Sequence, residues 1–137
     1  MVFFNPEVAR EFDYRCKQGG QLASKMRFLS APWVGMLQDG AWLRHARHSN
    51  AMAKRLEAAI SGLPHVQIPY PVESNAVFAS FPEEVAEAMH RRGWKFYTGV
   101  GGWNESRLMC SWDTTPEDVD AFAADLKSLV SKTPVPK

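Results

Sequence analysis

Cysteine is scarce in this sequence: Cys16 and Cys110 are the only two, far apart and in neither CxxC nor Cys/His spacing. That excludes a disulfide scaffold and a thiolate metal site, and it makes a reducing, cytoplasmic setting with free thiols the expectation. An excess of charge of one sign is missing as well. Sixteen Lys and Arg face fifteen Asp and Glu, leaving +1, which is not the balance of a dedicated nucleic-acid binder. No apolar run approaches the roughly 20 residues of a membrane helix, so no membrane partner is expected. The opening Met-Val-Phe-Phe has no basic flank and meets Asn5-Pro6 at once, unlike a signal peptide. The common catalytic signatures are absent too. Gly99-Val100-Gly101-Gly102 lacks GxGxxG spacing and leads into a strand pattern rather than a helix, and there is no GxSxG or HExxH. His45 and His48 stand three apart on a helical pattern, but no nearby carboxylate or Cys completes a shell, so no metal site is expected.

What the sequence does hold is aromatic surface: eight Phe, five Trp and three Tyr in 137 residues. That is rich for one domain with one core, and it suggests that some rings face something beyond it. Val2-Phe3-Phe4 reads as a short strand. Residues 6–17 read as a first helix with Pro6 in its first turn. A second helical pattern begins at Gln21 and is interrupted at Pro32. A long helix is predicted from Trp33 to Ser61, bent near Gly35 or Gly40, with Ala51, Met52, Leu56, Ala59 and Ile60 as its apolar stripe. Val66–Ile68, Asn75–Phe81, Trp94–Thr98 and Ser106–Trp112 read as strands, with a helix from Pro82 to about Arg92. The last helix is signalled by Thr115 as N-cap, Pro116, and Val119, Phe122, Ala123, Leu126, Leu129 and Val130 on one face. Helices first, then β-α-β-β-α, imply an α+β fold with a small, largely antiparallel sheet covered by helices. The expected division is a segment 1–30, an α+β domain 31–132 and a frayed tail 133–137.

One charged residue sits oddly. Arg107 lies in an otherwise apolar strand, where alternation sets Arg107, Met109 and Ser111 on one face and Leu108, Cys110 and Trp112 on the other. A guanidinium in such a strand needs an anion, and its fork matches a carboxylate. Two readings stand side by side at this point: a ligand carboxylate, or a structural pair with an internal Asp or Glu.

Several runs taken together resemble one family. They are Ser24-Lys25-Met26-Arg27-Phe28-Leu29 after Gly19-Gly20-Gln21, Trp42-Leu43-Arg44, Ala46-Arg47-His48, Asn50-Ala51-Met52-Ala53, Glu73-Ser74-Asn75-Ala76-Val77-Phe78, and Arg107-Leu108-Met109-Cys110-Ser111-Trp112-Asp113-Thr114-Thr115. Over roughly residues 2–130 the chain resembles the C-terminal part of low-specificity L-threonine aldolases, pyridoxal-phosphate enzymes of the aspartate-aminotransferase fold type. The resemblance implies that Arg107 binds the substrate α-carboxylate, and that Arg27 and Lys17 lie near the cofactor phosphate across a subunit interface. It also implies that the lysine forming the aldimine, and most of the cofactor site, belong to a large domain upstream of Val2. None of Lys17, Lys25, Lys54, Lys95, Lys127, Lys132 and Lys137 stands in that context, so no catalytic residue is expected in this chain. The expectations are therefore a truncated threonine-aldolase-like domain, inactive alone and binding no pyridoxal phosphate by itself, and a homo-oligomer, with a twofold dimer as the simplest form. A separately encoded large domain is the other candidate partner. The alternative is a non-catalytic ligand-binding or interaction module on the same fold.

Overall fold

The computed structural model describes residues 2–101 and 104–132. The chain divides into two compact units, Met1–Gly40 and Ala41–Lys137.

In the first unit the side chain of Asn5 accepts the Glu7 N–H at 3.0 Å and caps α1 (Pro6–Ala9). The helix predicted over 6–17 is broken at Arg10 and Glu11 and resumes as α2 (Phe12–Gln18). Val2-Phe3-Phe4 is not a strand. It has no neighbouring strand to pair with among the described residues, and Phe3 instead sets its ring edge-on to Phe12, centroids 4.8 Å apart. Pro32 does not interrupt the chain's helicity: α3 (Arg27–Leu37) runs through it. The cost there is local, since proline removes the donor that the Phe28 carbonyl would have used. The break comes later, in a 3₁₀ turn over Gln38–Gly40 where Asp39 and Gly40 take φ of 54° and 65°. The single long helix expected from Trp33 is therefore two helices, and the boundary expected after residue 30 falls inside α3. No residue of α1, α2 or α3 is buried.

The second unit opens with α4 (Ala41–Ile60) and continues through β1 (Ala76–Ser80), α5 (Glu83–Arg91), β2 (Tyr97–Thr98), β3 (Glu105–Met109) and α6 (Pro116–Val130). The sheet has the order β1-β3-β2 with both pairings antiparallel, as the α+β reading expected. Two predicted strands are shorter than the sequence pattern: only Tyr97 and Thr98 of 94–98 join the ladder, and β3 ends at Met109. Val66–Ile68 contributes a single bridge, Gln67↔Ser80, because Pro69 and Pro71 supply no N–H to extend it. α6 starts with a reciprocal capping box, in which Thr115 and Asp118 each accept the other's backbone N–H. α5 is closed by Gly93, just past its C-cap Arg92, with a φ of 97° that a residue with a Cβ rarely adopts.

The core lies between one face of the sheet and the three helices. α4 gives Ala53, Leu56 and Ile60, α5 gives Val85, Ala86 and Met89, and α6 gives Val119, Phe122, Ala123, Leu126 and Val130. These meet Val77, Ala79, Leu108 and Cys110 from the sheet. Each large side chain fully buried in this way stabilises the fold by ~1.5–3 kcal/mol over an exposed one. No helix among the described residues is long and apolar enough to cross a membrane. The tail expected to fray, 133–137, lies outside the described residues, as do Gly102 and Trp103 of the glycine-rich loop.

Candidate functional site

β3 is the central strand, so its alternation decides what faces the core and what does not. Leu108 and Cys110 are buried, and burial pushes the Cys110 thiol pKa up. Arg107 and Met109 point the other way. In register, Arg107 stands opposite Phe78 on β1 and opposite Tyr97 on β2, so all three share the face that no helix of this unit covers. Tyr97 is 66% and Met109 53% exposed there. Trp112, expected on the core face with Leu108 and Cys110, is instead exposed at 63%. The strand has ended by then, and Trp112 presents its ring to His45 on α4, centroids 5.5 Å apart.

The Arg107 guanidinium carbon lies 5.1 Å from the centre of the Tyr97 ring. Its Nε is buried and has no hydrogen-bond partner, and Arg107 forms no ion pair among the described residues. Of the two readings left open by the sequence, the internal ion pair thus finds no acid. Glu105, two residues earlier on the same face of β3, is buried but makes no ion pair with Arg107. On α6, Asp120 takes both Nε and Nη2 of Arg55, at 2.9 and 2.7 Å. Asp125 accepts from Arg92 and from the Trp94 indole. An unmet buried donor costs ~1–3 kcal/mol, and the Nε of Arg107 is one such donor at the centre of the sheet. An open groove of about 370 Å³ runs past the residue, lined by His90, Lys95, Phe96, Tyr97, Arg107 and Met109. Its walls combine cations with apolar surface, and no carboxylate lines it.

His45 and His48 gather no further ligands, and no cluster of His, Cys, Asp or Glu suited to a metal occurs among the described residues. His48 instead donates Nε2–H to the Thr114 carbonyl at 2.7 Å, pinning α4 to the turn after β3. Asn75 also holds that strand end: its side-chain amide N–H donates to the Cys110 carbonyl and its backbone carbonyl accepts the Cys110 N–H, both at 2.8 Å. Lys17 and Arg27 belong to the first unit. Lys17 is exposed in the last turn of α2, and Arg27 lies over the ring of its neighbour Phe28, 5.0 Å from its centre. Tyr97 is the residue that sequence reasoning missed. Only the register of β2 against β3 reveals it, and neither strand's own pattern carries that register.

Low-specificity L-threonine aldolases from Pseudomonas sp. (strain NCIMB 10558) and Pseudomonas aeruginosa are each 53% identical to this chain, over 131 and 127 residues. Those matches take in 96% and 93% of the chain. This chain is a threonine aldolase homologue. It spans only 38% and 36% of the length of those two relatives, the share a C-terminal part would have. A solved threonine aldolase from Leishmania major superimposes on 69% of the chain and 28% of its own, with a TM-score of 0.60 and 26% identity. No protein-family model matches the chain.

Threonine aldolase homology raises the question of a pyridoxal-phosphate site, and the residues can be tested for it. A Schiff-base lysine is made reactive by burial or by a neighbouring cation. Lys17, Lys25, Lys54, Lys95, Lys127 and Lys132 are all exposed, and none lies in an enclosed pocket beside an acid and phosphate donors. The described residues of this threonine aldolase homologue do not make a complete cofactor site.

Proposed function

We propose that this chain is the carboxylate-binding part of a threonine-aldolase-type enzyme, with Arg107 receiving the α-carboxylate of the amino-acid substrate. The observation that carries the reading is the Arg107 guanidinium itself: it forms no ion pair among the described residues and lies beside a groove that no described carboxylate lines. The matching residues in the Arg107-to-Thr115 run, and the 53% identity of the relatives, support it. The reaction of the complete assembly is then the pyridoxal-phosphate-dependent retro-aldol cleavage of L-threonine or L-allo-threonine to glycine and acetaldehyde. The cofactor and its lysine come from a large domain, and Lys17 and Arg27 lie near the cofactor phosphate across a subunit interface. The 137 residues on their own hold no cofactor and turn nothing over. The same geometry also serves a non-catalytic carboxylate-binding module, a reading favoured by the exposure of every described lysine.

Assembly follows from the first unit. With Phe28, Leu29, Trp33 and Val34 all exposed and nothing in α1–α3 buried, this unit needs a covering surface. A twofold homodimer provides one, and a separately encoded large domain is the other partner proposed. Two unbonded thiols, Cys16 and Cys110, fit a reducing, cytoplasmic compartment.

The direct test of the binding role is titration of the ¹⁵N-labelled chain with sodium acetate and with glycine at constant ionic strength. Saturable shifts at Arg107, Tyr97 and Met109 are expected, and they should vanish in Arg107→Gln. Equal shifts in the variant would remove Arg107 from the account.

A further inference from the structure

We infer that Tyr97 is a positioning residue for Arg107, holding its guanidinium so that a carboxylate is met end-on. The inference rests on the reading of Arg107 as the carboxylate-binding group. The antiparallel register makes Tyr97 and Arg107 direct cross-strand partners, the pairing in which side chains on one face come closest. β2 is two residues long, so Tyr97 is one of only two side chains fixed by that ladder. Its ring is 66% exposed, which gives it little part in the core. Its close contact is the Arg107 guanidinium carbon, 5.1 Å from the ring centre and within the range of a cation–π interaction.

The buried, unpartnered Nε completes the geometry. A ligand approaching from solvent is shut off from that nitrogen, so the side-on mode using Nε and one Nη is closed to it. The two Nη groups remain, and their parallel N–H bonds suit the two oxygens of a planar carboxylate. A long side chain presents such a pair well only if its outer torsions are restrained before the ligand arrives. Tyr97 supplies that restraint from β2, while Phe78, the partner on β1, stands on the other side. Both flanking side chains are neutral, so they restrain the cation without neutralising it.

The test uses the full 137-residue chain, acetate as the probe, and the variants Tyr97→Phe, Tyr97→Trp, Tyr97→Leu, Tyr97→Met and Arg107→Gln. Acetate dissociation constants come from NMR titration, and the side-chain NMR signals of Arg107 report the order of its guanidinium. Phe and Trp retain the ring, so both should bind within twofold of wild type. Leu and Met should weaken acetate about two- to fivefold, the range of an exposed cation–π contact, and should average the Arg107 signals while leaving the remaining spectrum in place. Met carries the comparison if Leu does not fold. Wild-type affinity in Leu and Met would overturn the inference. So would a loss in Phe as large as in Leu, since the hydroxyl would then be the contact that matters. Binding lost in Arg107→Gln but kept in Leu and Met defeats the positioning role alone. Acetate binding that survives Arg107→Gln, or no binding to wild type, defeats the underlying reading as well.

Discussion

Trp94 donates its indole N–H to Asp125 across 2.8 Å, tying the segment that leads into β2 to the third turn of α6. Arg92 donates to the other carboxylate oxygen, and also to Ser128 Oγ at 3.0 Å. The segment that carries Tyr97 is therefore anchored three residues upstream, by a carboxylate, to a helix of the core. That bond and, secondarily, Arg92 hold the Asp125 carboxyl below the usual carboxylate range, against the opposing effect of desolvation.

A folded-state pKa below the unfolded one means stability that is present above the unfolded value and lost as pH falls through the folded one. Asp125→Asn should accordingly lower the urea midpoint at pH 7. The gap between variant and wild type should close below about pH 4, the ordinary range of an aspartate. Equal midpoints at pH 7 would show that the Trp94–Asp125 bond adds nothing net.

Leu126 is fully buried on α6, the helix that packs on both α4 and α5. Leu126→Ala should cost ~2–5 kcal/mol in denaturant unfolding. A smaller loss would mean that the helix layer closes over the gap.

The first unit gives an assembly prediction. Light scattering should find the intact chain as a dimer, and Phe28→Glu with Trp33→Glu should shift it to monomer. Circular dichroism of the variant should keep the signal of the second unit, whose core does not include these residues. A wild-type monomer at micromolar concentration would refute the proposed interface.

Borohydride reduction after incubation with pyridoxal phosphate addresses the cofactor. Labelling should be scattered and substoichiometric across the exposed lysines, with no threonine cleavage. One lysine modified at full stoichiometry, with turnover, would contradict the account.

Much of the fold was legible because its strongest signals are local. Thr115-Pro116 with Asp118, the apolar stripe from Val119 to Val130, and Gly93 each act through one or two turns of chain, and the structure keeps all three. The failures are where tertiary partners decide. Val2–Phe4 has strand composition but pairs with no strand among the described residues, and 94–98 has the right residues but only two that reach β3. Pro32 is a helix breaker by propensity, yet the helix continues, and Asp39 with Gly40 makes the break instead. For the site, strand alternation was enough to set Arg107 apart from Leu108 and Cys110. It could not supply Tyr97 or Phe78, because cross-strand register is a property of pairs, absent from either strand alone.

The most direct test of the central claim, that Arg107 serves a ligand rather than the fold, is urea unfolding of wild type and Arg107→Gln with and without glycine. Without glycine the variant should match wild type to within ~1 kcal/mol, since only an exposed cation–π contact is lost. Added glycine should stabilise wild type alone. A loss of ~3–5 kcal/mol without ligand is the signature of a broken buried ion pair, and it would contradict the account.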